Sequence, residues 1–60
     1  MNKQVNVGEN YLIKFRGGIV WCQIYHKTPK KHIQFGDSAT GMFEWCKESD
    51  FIRMIVERLV

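Results

Sequence analysis

Between Tyr11 and His26 the chain reads YLIKFRGGIVWCQIYH, two runs rich in β-branched and aromatic residues on either side of Gly17-Gly18. A Gly-Gly pair supplies the positive φ that both central positions of a type I′ turn require, so this segment is predicted to be a two-residue hairpin. Closure on Gly17-Gly18 sets Arg16 opposite Ile19, Phe15 opposite Val20, Ile13 opposite Cys22 and Tyr11 opposite Ile24. Side chains alternate across a strand, so Tyr11, Ile13, Phe15, Val20, Cys22 and Ile24 share one face, the predicted core face. Leu12, Lys14, Arg16, Ile19, Trp21, Gln23 and Tyr25 share the other. A slip of one residue would mix apolar and basic positions on both faces, so turn chemistry and hydrophobic pattern select the same pairing.

The tract Lys27-Thr28-Pro29-Lys30 reads as a turn, because Pro29 cannot donate to a sheet ladder and disfavours helix at the residue before it. A third strand over residues 32–35 follows. With His26 opposite Lys31, Ile33 lies beside Ile24 and Phe35 beside Cys22 on the core face, while His32 and Gln34 join Tyr25 and Gln23 on the other. The glycine-bracketed stretch GDSATG lacks the lysine and spacing of a phosphate-binding loop and reads as a plain connection. Residues 42–47, MFEWCK, fit a short strand and a helical turn equally well. Ser49 and Asp50 form a helix start, and Phe51, Ile52, Ile55, Val56 and Leu59 give the following segment a broad apolar face. The expectation is an α+β fold: a three-stranded antiparallel sheet, hairpin 11–26 plus strand 32–35, with a C-terminal helix over about 50–59 packed on one face. Residues 1–8 are expected to be a mobile leader to a single small domain of residues 1–60.

A chain of 60 residues has little margin of stability from its core alone. Its apolar content of 45% is that of a globular chain, and no apolar run approaches the roughly 20 residues that span a bilayer. No membrane association is expected, and the absence of an apolar stretch in MNKQVNVGEN makes the cytoplasm the expected location. The net charge of +3 is unevenly distributed. Residues 1–35 hold Lys3, Lys14, Arg16, Lys27, Lys30 and Lys31 against Glu9 alone, whereas acids outnumber bases in residues 36–60. The exposed face of the sheet is therefore the expected basic side of the molecule.

Cys22, His26, His32 and Cys46 match a tetrahedral zinc site in number but not in spacing. Four residues along a strand span about 13 Å at roughly 3.3 Å per residue, far beyond the reach of one ion, so no metal is expected. A Cys22 to Cys46 disulfide is not expected in a cytosolic chain. Neither a Cys and His pair nor Asp37 and Ser38 implies a concave catalytic pocket, so the chain reads as a non-enzyme without cofactors.

The second hairpin face is the informative one. It carries Trp21 and Tyr25 among Lys14, Arg16 and His32, with Lys27, Lys30 and Lys31 on the adjoining turn. A face left to solvent is normally polar, so this one is covered by residues 42–47, by a second copy of the chain, or by a ligand. The order of three antiparallel strands and one helix resembles, in arrangement alone and without a matched motif, the DNA-binding sheet of AP2-type and integrase amino-terminal domains. The leading expectation is a small binding module that presents Lys14, Arg16, Lys27, Lys30, Lys31 and His32 to nucleic-acid phosphates, and Trp21 and Tyr25 to bases. The alternatives are a phage- or mobile-element-type inhibitor that docks on a host protein, such as a nuclease or polymerase subunit, by the same face centred on Trp21 or by a sheet edge, and a homo-oligomer that buries Leu12, Ile19, Trp21 and Tyr25 against a copy of itself.

Overall fold

A computed structural model describes residues 4–60. Five strands, β1 (Asn10–Phe15), β2 (Gly18–Lys27), β3 (His32–Asp37), β4 (Met42–Lys47) and β5 (Ile55–Arg58), form one antiparallel sheet in the order β4-β3-β2-β1-β5. A short helix, α1 (Glu48–Met54), lies between β4 and β5. The α+β class and the packed helix match expectation, but the sheet has five strands rather than three and a strand follows the helix. The arrangement of three strands and a terminal helix is thus not the one found.

The hairpin forms with its turn one residue early. Arg16 and Gly17 hold the two positive φ values, 52° and 82°, and Phe15 faces Gly18. The pairs are accordingly Ile13 with Val20 and Tyr11 with Cys22, not Phe15 with Val20 and Ile13 with Cys22. Each partner moves by two positions, an even shift, so the paired strand residues keep their predicted faces, while Arg16, now in the turn, does not. Arg16 tolerates its left-handed backbone while its guanidinium lies 4.8 Å from the centre of the Phe15 ring and bonds Glu44 at 3.1 Å.

The pairing of β2 with β3 also departs from expectation. The turn closes through the Thr28 N–H donating to the His32 carbonyl at 2.8 Å, two residues later on the β2 side and one later on the β3 side than a closure of His26 on Lys31. Ile24 faces Phe35 and Lys27 faces Ile33, with an extra residue, Tyr25, in β2. This bulge reverses the alternation, so Lys27 joins the core side beside Ile33 instead of the outer basic face.

The core consists of Val5, Tyr11, Ile13, Cys22, Ile24, Ile33, Phe35 and Phe51, flanked by half-buried Phe15, Val20, Met42, Cys46, Ile52, Met54 and Ile55. Phe51 on α1 is its keystone, with ring centres 5.5 Å from Tyr11 and 5.1 Å from Phe35. The helix stops at Met54, well short of residue 59, because Ile55 turns to extended geometry and β5 pairs with the free edge of β1. β-Branched Ile55 and Val56 suit that strand better than a continuing helix. Val56 and Leu59 are consequently exposed, not part of a helical apolar face. No helix among the described residues is long and apolar enough to cross a membrane.

Of the stretch expected as a mobile leader, residues 1–3 lie outside the described residues, whereas Val5 is fully buried and the Gly8 N–H donates to the Ile24 carbonyl at 2.8 Å. Glu48, only 6% exposed, accepts from the Val5 N–H at 2.9 Å and pairs with Lys27 Nζ at 2.9 Å. Lys27 also donates to the Val5 carbonyl at 3.0 Å. Removing one member of a buried pair strands the other, so Lys27→Ala is expected to destabilise by about 3 to 5 kcal/mol. Lys30→Ala, at an exposed position three residues on, is expected to change stability by no more than about 0.5 kcal/mol. Denaturant melts of the two variants check this, and equal effects would show that the Lys27 to Glu48 pair does not anchor the fold.

Candidate functional site

The outer face of the sheet carries an aromatic surface wider than the hairpin alone implied. Leu12 and Trp21 form one cross-strand pair, with Glu57 of β5 completing the row. On β4, Phe43 and Trp45 alternate outward while Met42 and Cys46 pack against the core. Rather than folding over the sheet, residues 42–47 extend it. Trp21 is 39%, Phe43 44% and Trp45 54% exposed, a large apolar surface for the solvent side of so small a protein.

The Tyr25 bulge sends two successive residues of β2 to this face. Tyr25 meets the Phe43 ring edge-on at 5.2 Å, and His26 stacks on Trp45 with centres 6.2 Å apart and planes 12° from parallel. Gly36 of β3 lies between the strands that carry Tyr25 and Phe43. A Cβ there would sit 2.7 Å from the Phe43 ring and 2.1 Å from the Met42 carbonyl oxygen, so a side chain at this position is incompatible with the arrangement.

The cations separate into two groups. Lys14 and His32 are exposed on the outer face with Trp21 and half-buried Tyr25. Arg16, expected on that face, instead turns to the core side through Phe15 and Glu44, and Lys27 is held by Glu48. Neither is placed to serve the outer surface. Lys30 and Lys31 stay exposed at the β2 to β3 turn, where Lys31 adopts a positive φ of 63° and its carbonyl accepts from the Glu48 N–H at 2.9 Å.

That contact brings the turn against the start of α1 and encloses a cleft of about 530 Å3 lined by Lys30, Lys31, His32, Lys47, Ser49 and Arg53, with Ile52 and Glu48 below. His32 and Lys47 are cross-strand partners, and Gln34 and Trp45 form the next pair but one along the same two strands. The cleft thus opens at the rim of the aromatic face. Phe43, Trp45, Lys47 and Arg53 were not among the residues singled out from sequence. The alternation of Phe43, Trp45 and Lys47 against Met42, Glu44 and Cys46 was the available signal for the first three.

The remaining chemistry-bearing groups lie apart. Cys22 and Cys46 are free thiols on the core side, whereas His26 and His32 belong to the outer face. Burial, with a smaller contribution from Cys46, pushes the Cys22 thiol up to about 11. Among the described residues, no group of three or more His, Cys, Asp and Glu side chains is arranged to hold a metal ion. The Asp37 to Gly41 turn directs its amides inward: Ala39 donates to the Asp37 side chain, and Thr40 and Gly41 donate to the Asp37 carbonyl. No protein-family model matches the chain, and no curated protein and no solved structure matches it either.

Two carboxylates on the core side are held ionised. Burial alone would raise the Glu48 pKa, but hydrogen bonds from Lys27 and the Val5 N–H, with the nearby charges of Lys27 and Lys31, bring it below the usual range. Burial likewise opposes ionisation of Glu9, yet donation from Tyr11, the Asn6 N–H and Arg58 takes its pKa down to about 2. A carboxylate whose pKa is depressed by folding stabilises the native state above the unfolded value and loses that contribution as protons bind. Thermal stability is therefore expected to fall as pH drops from about 4.5 to about 2, and Glu9→Gln is expected to flatten that decline. Melting temperatures across this window test it; a parallel decline in both proteins would show that Glu9 is not a source of the acid sensitivity.

Proposed function

We propose that the protein is a non-enzymatic module that binds single-stranded nucleic acid on the outer face of its sheet. The observation that carries this reading is that Trp21, Tyr25, Phe43 and Trp45 lie on one face of the sheet, bordered by Lys14 at one end and by His32 and Lys47 at the other. Aromatic rings accept unpaired bases by stacking irrespective of sequence, and flanking cations contact the phosphates. A single strand fits better than a duplex, because stacked bases in a duplex do not present their faces to a protein surface. Arg16 and Lys27 have no part in this interface, and Phe43, Trp45 and Lys47 enter it.

Titrating a short oligothymidylate against the intrinsic fluorescence of Trp21 and Trp45 is expected to give saturable quenching. Raising salt from about 50 to 200 mM is expected to weaken it by about tenfold or more if several phosphates are contacted. Trp45→Ala is expected to cost about 1 to 3 kcal/mol per stacked base, roughly five- to 150-fold in Kd. No quenching at low salt would retire the proposal. Retention of a protein partner in nuclease-treated lysate, insensitive to salt and lost with Trp45→Ala, would favour the docking of a host protein on this face instead.

A further inference from the structure

The cleft beside the sheet gathers four fixed cations from three separate parts of the chain: Lys30 and Lys31 from the β2 to β3 turn, Lys47 from the end of β4, and Arg53 from α1. Like charges drawn together in this way repel one another, an unfavourable arrangement for a free protein that an anion relieves. The acids nearby do not offset it fully. Glu48, at the base, is already matched by Lys27 Nζ at 2.9 Å and by the Val5 N–H, and Asp50 reaches Arg53 only at 3.8 Å between exposed side chains. His32 and Ser49 add an imidazole and a hydroxyl to the lining, and the volume of about 530 Å3 lies within the range of small-ligand sites.

We propose that this cleft is a phosphate site, which seats a phosphate group of the strand whose bases stack on the aromatic face. The inference rests on the nucleic-acid reading for the source of the phosphate, and on the cleft alone for the chemistry of the ligand. Phosphate suits the lining because its several acceptor oxygens engage ammonium, guanidinium and hydroxyl donors at once. The position of the cleft also fits: Lys47 lies two residues from Trp45 on the same face of β4, about 7 Å along the strand, so a base on Trp45 and a phosphate beside Lys47 are neighbours.

Two measurements test this, each on the wild type and on Lys47→Ala/Arg53→Ala, whose two exposed side chains lie outside the core. In the first, backbone amides of Lys31, Lys47 and Ser49 are followed by NMR as inorganic phosphate is added at constant ionic strength. Saturable shifts in the wild type that chloride does not reproduce and that the variant lacks are expected; identical responses to phosphate and chloride would overturn the site. In the second, oligothymidylate affinity is measured against salt. The variant is expected to bind at least about tenfold more weakly and to lose about 0.7 from the slope of log K on log salt for each phosphate contact removed, with unchanged quenching at saturation. An unchanged slope with normal quenching would overturn the cleft and leave the stacking face standing. Absence of quenching in both proteins would overturn the strand as the source, and the phosphate titration would then decide the ligand chemistry alone. A 5′-phosphorylated oligonucleotide that binds the wild type more tightly than its 5′-hydroxyl counterpart, but not the variant, would assign the site to a terminal phosphate, and equal binding to an internal one.

Discussion

The buried contact of Lys27 with Glu48 fixes the relation between the sheet and everything packed beneath it. A carboxylate as buried as Glu48 is tolerated only when its bonding capacity is met, and here half-buried Lys27 and the Val5 N–H meet it, while the Val5 carbonyl accepts from Lys27. One node therefore joins the amino-terminal segment, the end of β2 and the start of α1. It exists because the bulge at Tyr25 turns Lys27 toward the core. Without that extra residue the alternation of β2 would point Lys27 to solvent and leave Glu48 without its cation. The same bulge sends Tyr25 and His26 together to the outer face, where they meet Phe43 and Trp45. A single irregularity thus shapes both sides of the sheet.

The short helix follows from the same geometry. Seven residues cannot sustain a helix on their own, and α1 persists because Phe51 fills the space between Tyr11 and Phe35. Once Phe51 is seated, a continuing helix would leave the edge of β1 unpaired, whereas an extended Ile55 to Arg58 satisfies its backbone groups. Arg58 then bonds half-buried Glu9, which also accepts from the Tyr11 hydroxyl. Burial and that bond push the Tyr11 hydroxyl up to about 12, which keeps it a donor throughout the physiological range.

The hairpin was legible from sequence in its faces and not in its exact pairing. Gly17 and Gly18 both permit positive φ, so glycine content could not distinguish a turn on Gly17-Gly18 from one on Arg16-Gly17. Hydrophobic alternation could not distinguish them either, since the two registers differ by an even shift. What selects the observed one includes the position of Arg16 over Phe15 and against Glu44, a contact across 28 residues. The Tyr25 bulge was illegible for a similar reason: it is read from the later closure at Thr28 and from the need of Glu48 for a cation. Strand β4 and the helix end were ambiguous because short apolar runs carry no period of their own, and pairing with β3 and β1 decided them.

The charge pattern gives the clearest case of a sequence trend that folding redistributes. An excess of cations in the first 35 residues suggested that they would share the exposed sheet face. Two of them, Arg16 and Lys27, are matched by Glu44 and Glu48 from the acidic half of the chain, which is the electrostatically favourable outcome for an acidic segment laid against a basic sheet. That matching brings α1 and the end of β4 close to the β2 to β3 turn, and with them come Lys47 and Arg53. The cations matched on the core side are thus replaced at the sheet rim by others, of which Arg53 meets Asp50 only at 3.8 Å between exposed side chains. The positive surface moves from the middle of the sheet to one end of it, which leaves the aromatic rings of the outer face as the contact area and the charges beside them as its border.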